Sequence, residues 1–220
     1  MPPSSIRKSR RQRGRRGRVY LLGTLVLVII VAVGWYVNAS SQSANTKVPA
    51  TGVVYAKLNT SQGLIEVELY QSKTPKTVAN FVNLAKSGFY NNLVWHRIAT
   101  NPAVIQTGDP NSRNGLGDMA TWGSGGSPET VPLEIDNSLR NNVGYLGMAR
   151  STDRNSGSSQ FYINLANNNY LDGDYTVFGK VTSGMDVALA IANLPVDSPS
   201  HGQPLDPLPF LTSVTISSSP

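Results

Sequence analysis

A chain of 220 residues has room for one ordinary domain and an additional segment. It contains no cysteine, which excludes a disulfide framework, a thiolate nucleophile and a thiolate metal site. The net charge of +6 is concentrated at one end: eight of the 19 Lys and Arg precede Val19, leaving 11 basic residues against 13 acidic ones in the remainder.

Residues 1–18 form a basic tail with Arg7, Lys8, Arg10, Arg11, Arg13, Arg15, Arg16 and Arg18 and no acid. Residues 19–37, VYLLGTLVLVIIVAVGWYV, carry no charge at all. A helix of that length nearly spans the roughly 30 Å hydrocarbon core of a bilayer, and Trp35 and Tyr36 fall where amphipathic rings favour the interface. This predicts a transmembrane anchor in contact with membrane lipid. The arginines before it put the tail in the cytoplasm and the following domain outside. The alternative is a signal segment cleaved after Val37 and Ala39, which would make the domain secreted, but the apolar run is longer than a typical signal core. A basic arm is also compatible with nucleic acid; orienting the helix explains it more simply, so no nucleic-acid partner is expected. Residues 38–50 (NASSQSANTKVPA) are small and polar and read as a flexible linker, so the folded domain is expected over 51–220.

Within that domain Val53–Leu58 and Leu64–Tyr70 flank a Gly-containing turn. Ile65, Val67 and Leu69 alternate with Glu66 and Glu68, the pattern of a half-buried strand, so the two runs form a hairpin. Thr74-Pro75 opens a helix, with Thr as N-cap and Pro at the first helical position. Val78, Phe81, Val82 and Ala85 make its apolar face, and Gly88 stops it. Asn91–Val181 reads as short strands broken by Gly, Asn, Asp and Ser. A second helix spans about Ser183–Asn193 and buries Met185, Ala188, Leu189 and Ala192. Phe210–Ile216 alternates again and is placed to pair back with the first hairpin. Many short strands, two helices and a returning terminal strand suggest a closed antiparallel barrel with helices over its ends, although local propensity does not by itself separate barrel from sandwich.

Six stretches carry the chemistry: WHRI (Trp95–Ile98), VIQTGDP (Val104–Pro110), NGLG (Asn114–Gly117), GYLGMAR (Gly144–Arg150), SGSSQFYI (Ser156–Ile163) and LDGDYTVFGKV (Leu171–Val181). In this order and at these separations they resemble the cyclophilin family of peptidyl-prolyl cis/trans isomerases, over roughly Val53–Ile216. The resemblance implies a mainly β fold, a closed eight-stranded antiparallel barrel capped by two helices, with the active groove on its outer face. It implies no cofactor and no metal, and as partners proline-containing polypeptides, here exported or membrane proteins. By position, Arg97 matches the catalytic arginine, and Gln106 and Gln160 match the two glutamines that hold the substrate and support it. Ala149 and Arg150 match the pair whose backbone contacts the residue before the substrate proline. Val104, Tyr162 and Leu171 match walls of the proline pocket, and Tyr175 stands where the family often has a ring lining it.

Such a reaction suits a chain with no Cys and only two His, His96 and His201. Rotation about X–Pro makes and breaks no bond, so it needs neither a nucleophile nor an acid–base pair. By the period of two, Phe161 and Ile163 should face the core and leave Gln160 and Tyr162 on the groove. His96, next to Arg97, is expected to be structural. Four departures stand out. HRIATNPAVIQ is one residue longer than usual between the arginine and the glutamine. Ala103 falls where the family normally has a phenylalanine in the pocket floor, and Phe89 and Trp95 are the candidate rings to compensate for that loss. Tyr170 replaces the tryptophan that contacts cyclosporin in many members, which implies weak cyclosporin sensitivity, and Arg150 replaces a frequent asparagine. A proline-peptide binding or chaperone-like module with little isomerase activity is the alternative reading.

Overall fold

The computed structural model describes residues 53–198 and 202–219. The basic tail, the 19–37 span, the linker and His201 lie outside these residues. Among the described residues no helix is long and apolar enough to cross a membrane.

Nine strands form one sheet: β1 (Val54–Thr60), β2 (Gly63–Leu69), β3 (Leu93–Val94), β4 (Arg97–Thr100), β5 (Ala103–Thr107), β6 (Tyr145–Met148), β7 (Phe161–Asn164), β8 (Val177–Ser183) and β9 (Phe210–Ser217). Among the described residues two α-helices, α1 (Pro75–Lys86) and α2 (Met185–Ala192), accompany these nine strands. The spatial order is β3-β9-β1-β2-β8-β6-β7-β5-β4, with every pairing antiparallel. The predicted hairpin is β1–β2, and the terminal strand β9 does return, pairing its Val214 with Leu58 of β1.

The expected closed barrel of eight strands is not what forms. The hydrogen-bonded ladder is open between its edge strands β3 and β4, which are neighbours in sequence but pair with β9 and β5 respectively. Leu93, Val94, Trp95 and His96 are all buried. Their faces alternate nonetheless: Leu93 and Trp95 belong to the main core, whereas Val94 and His96 do not, and His96 lies beneath Gly123. Between these edges the backbone bonds to loop carbonyls instead of a neighbouring strand: Trp95 N donates to Pro209 O at 2.9 Å and Ile98 N to Gly202 O at 2.7 Å. The result is a barrel-like but open sheet with nine short strands.

The interior is built on Phe161, whose ring meets Phe81, Tyr90 and Trp95 edge-on at centroid distances of 5.4, 5.6 and 5.9 Å. Edge-to-face packing of this kind adds to the apolar burial of the rings. Trp95 is fully buried here and Phe89 packs on Tyr90, so neither ring reaches the groove face to stand in for the missing phenylalanine.

Helix α1 starts as expected at Thr74-Pro75 and buries Val78, Phe81, Val82 and Ala85, and Gly88, at φ +73°, ends it. Its cap has a different origin. The Thr74 hydroxyl makes no capping bond. The Glu134 carboxylate accepts from the Lys76 and Thr77 amides at 3.1 and 2.8 Å and from the Thr77 hydroxyl at 2.8 Å. A remote carboxylate thus meets both the free amides and the positive end of the helix dipole. Glu134→Gln should lower stability by about 1 kcal/mol, read as an earlier urea midpoint; an unchanged midpoint would show the cap to be dispensable. Helix α2 also departs from expectation, since its buried positions are Ala188 and Ile191 while Leu189 is 47% exposed. Ala188 and Ile191, three apart, define one stripe, and Leu189 falls beside it.

Candidate active site

The outer face of β4, β5 and β7 carries its own small apolar cluster, Ala99, Val104 and Tyr162, against which Ala149, Leu171 and Tyr175 pack. Strand alternation creates it. Phe161 and Ile163 point into the main core, and Tyr162 between them points out. The register then aligns one row across four strands: Arg97 opposite Gln106, Gln106 opposite Tyr162, and Tyr162 opposite Gly147.

A chain of side-chain hydrogen bonds runs along this face. Arg97 Nη1 donates to Gln106 Oε1 at 3.3 Å, and Gln106 Nε2 donates to Gln160 Oε1 at 2.8 Å. Gln160 Nε2 in turn donates to the Gly123 and Gly125 carbonyls at 2.9 and 2.6 Å. The loop that offers those carbonyls is held by the buried Asp109, whose carboxylate accepts from the amides of Asn111, Gly123 and Gly125. Behind it sits His96, only 4% exposed, with neither ring nitrogen hydrogen-bonded. Burial lowers its pKa to about 4, opposed in part by the nearby Asp109 carboxylate, so the ring is neutral near pH 7. His96 thus packs under the loop and is not exposed in the groove, in keeping with a structural residue.

A cavity of about 210 Å³ opens on this face, lined by Arg97, Pro102, Val104, Gln106, Ala149, Arg150, Tyr162, Leu171 and Tyr175. Of the positions singled out in the sequence, Gln160 borders an adjoining cavity and supports Gln106. Tyr170 lines neither cavity: its ring is 63% exposed and its hydroxyl donates to Asn101 Oδ1 at 3.1 Å, at the rim. Ala103 is likewise absent from the lining. Asn101 and Pro102 form the two-residue turn of the β4–β5 hairpin, and Pro102 is the apolar wall at that end.

Tyr162 is fixed from below. Its hydroxyl donates to Asn141 Oδ1 at 2.8 Å, and burial raises its pKa well above the ordinary tyrosine value, so the phenol stays protonated. Gly147 makes this possible: a Cβ there would lie 2.1 Å from the Tyr162 ring. Gly147→Ala should therefore push the ring out of its seat, costing about 1–3 kcal/mol of stability and reshaping the pocket. A crystal structure of the variant with Tyr162 unmoved would contradict this. Pro102, Gly147, Asn141 and the Asp109-held loop escape sequence reading. Gly147 lies in a quoted stretch, but only the cross-strand register shows why it has no side chain.

The site is thus a small pocket walled by Pro102, Val104, Tyr162 and Leu171 and edged by the Arg97 guanidinium and the Gln106 amide. The family model for cyclophilin type peptidyl-prolyl cis-trans isomerase/CLD matches residues 55–215. Peptidyl-prolyl cis-trans isomerase-like 1 of Aspergillus niger is 40% identical over 163 residues, 74% of this chain and 93% of the relative. A peptidyl-prolyl cis-trans isomerase of Acinetobacter baylyi is 35% identical over 175 residues, covering 77% of this chain and 84% of that one. The crystal structure of a cyclophilin type isomerase from Cryptosporidium parvum superposes with a TM-score of 0.66 at 29% identity, over 76% of this chain and 99% of the other, and that protein has also been solved in the presence of the dipeptide Ala-Pro. The chain belongs to the cyclophilin-type peptidyl-prolyl cis-trans isomerase family. It is accordingly an isomerase of X–Pro peptide bonds.

Proposed function

We propose that the 210 Å³ cavity is the proline pocket and that the enzyme turns X–Pro bonds of exported or membrane proteins as they fold, from a domain held outside the cytoplasm by the 19–37 segment. The observation that carries the site assignment is the bonded chain Arg97–Gln106–Gln160 along the edge of an apolar pocket. Amide resonance sets a barrier of about 18–20 kcal/mol to rotation. At the top of that barrier the prolyl nitrogen is pyramidal and has a lone pair. Arg97, always protonated, donates to that nitrogen or to the adjacent proline carbonyl and so favours the twisted form over both planar ones. Pro102, Val104, Tyr162, Leu171 and Tyr175 grip the ring, while Gln106, Gln160 and the backbone of Ala149 and Arg150 hold the flanking peptide, so that one side turns against the other. The uncharged 19–37 run after a basic tail supports the location, and the export of the domain supports the substrate class.

The test is cis/trans exchange of a short X–Pro peptide, followed by magnetisation-transfer NMR with the full chain. Acceleration at substoichiometric protein is expected. Peptide binding without acceleration would instead favour a proline-binding module. For the location, an impermeant protease added to intact cells should remove the domain, and its complete protection would overturn an extracytoplasmic site.

A further inference from the structure

The pocket adjoins a second cavity of about 330 Å³, lined by residues 123–126 and by Ser151, Ser156 and Ser158. Gln106, Ala149 and Arg150 are common to both. Arg150 is the only one of the three with a charge, and it is held in place. Its Nε donates to Asp174 O at 2.8 Å and its Nη1 to Ser151 O at 2.9 Å, while the guanidinium carbon lies 4.5 Å from the centroid of the Tyr175 ring.

None of these partners neutralises it. All three acceptors, Thr152 O at 3.5 Å included, are backbone carbonyls, and among the described residues no carboxylate lies within ion-pair distance of Arg150. The neighbouring Asp174 carboxylate pairs with Arg154 at 3.0 Å. Neither cavity has Asp or Glu in its lining, whereas Arg97 and Arg150 both border the first. A groove lined by one sign of charge focuses its field on whatever enters. A guanidinium already ordered by carbonyls and an aromatic face loses little further freedom on meeting a ligand.

We propose that Arg150 makes this enzyme selective for acidic peptides, drawing in Glu or Asp at one of the two positions before the substrate proline and repelling Lys or Arg there. The inference rests on the proline-pocket reading above, which sets where the peptide lies. The Ser151 and Ser156 hydroxyls of the second cavity already donate to Ser156 Oγ and Asp153 O respectively, so the guanidinium is the group that draws the carboxylate, and the cavity's lack of acids removes the competing repulsion. Because the site is open to water, the effect is one of a few-fold and sensitive to salt.

The test uses the full chain and X–Pro peptides that differ only in carrying Glu, Ala or Lys at each of the two positions before proline. Both kcat/KM and peptide Kd, the latter by NMR titration, are measured at low and high salt. The Glu peptide should exceed the Lys peptide by about five-fold in both quantities at low salt at one of these positions, and the ratio should fall towards one at high salt. In Arg150→Gln the ratio should collapse at low salt, whatever the variant does to the rate on the Ala peptide. A wild-type ratio near one at both positions, or an undiminished ratio in folded Arg150→Gln, overturns the proposal. If no peptide is isomerised the isomerase reading fails separately, and the Kd ratio still decides the charge selectivity.

Discussion

Arg97→Ala should lower kcat/KM on an X–Pro peptide by about two to three orders of magnitude while the protein stays folded. Arg97 is half-buried on β4, its side chain is hydrogen-bonded to Gln106 at 3.3 Å, and it takes no part in the Phe161-centred core. Its removal should therefore cost little stability. The activity loss follows from the reaction: a donor that meets a lone pair present only in the twisted amide stabilises the transition state more than either ground state. The loss should accordingly appear in kcat as well as in kcat/KM, with peptide Kd changed much less. Circular dichroism establishes the fold and magnetisation transfer the rate. A folded variant with wild-type turnover would remove Arg97 from the chemistry.

The second large effect concerns acid. His96 titrates near pH 6.5 in an unfolded chain but at about 4 in the folded protein, because burial disfavours the charged ring. Below pH 6.5 the unfolded state therefore binds more protons, so stability falls as pH falls. The stabilisation linked to His96 is complete above about pH 6.5 and is lost progressively as pH drops to about 4, by on the order of 3 kcal/mol in total. The charged groups acting on the ring are Asp109, which favours its protonation, and Arg97, which opposes it. Protonation places a cation beneath the Gly123–Gly125 loop that supports Gln160, so activity should decline over the same range. Urea titrations between pH 7 and 4 should show a shallower fall in His96→Gln than in wild type. Parallel curves would mean that other groups carry the acid sensitivity.

Several elements could be read from the sequence alone because their causes are local. Alternation in Leu64–Leu69 and Phe210–Ile216 marks strands with one wet face, and both form as β2 and β9. Thr74-Pro75 and Gly88 bound a helix because proline suits its first turn and glycine its exit. The six spaced stretches led to the family, whose model covers 55–215, and the alternation in SQFYI put Tyr162 on the face opposite Phe161.

What the tertiary structure alone decided depends on residues far apart in the chain. Glu134 caps a helix 58 residues before it. Strands β3 and β4 pair with β9 and β5 and not with each other, leaving the ladder open where a closed ring of strands was expected. Leu189 looked apolar enough for the core and faces water, because packing chose the stripe through Ala188 and Ile191. Pro102 borders the pocket where Ala103 was expected to leave a gap, and Gly147 is bare because the Tyr162 ring occupies its space. Residue type and period set which elements form and which face of each is apolar. Which neighbours meet across those faces depends on register and close packing between distant segments, and a linear pattern carries little of either.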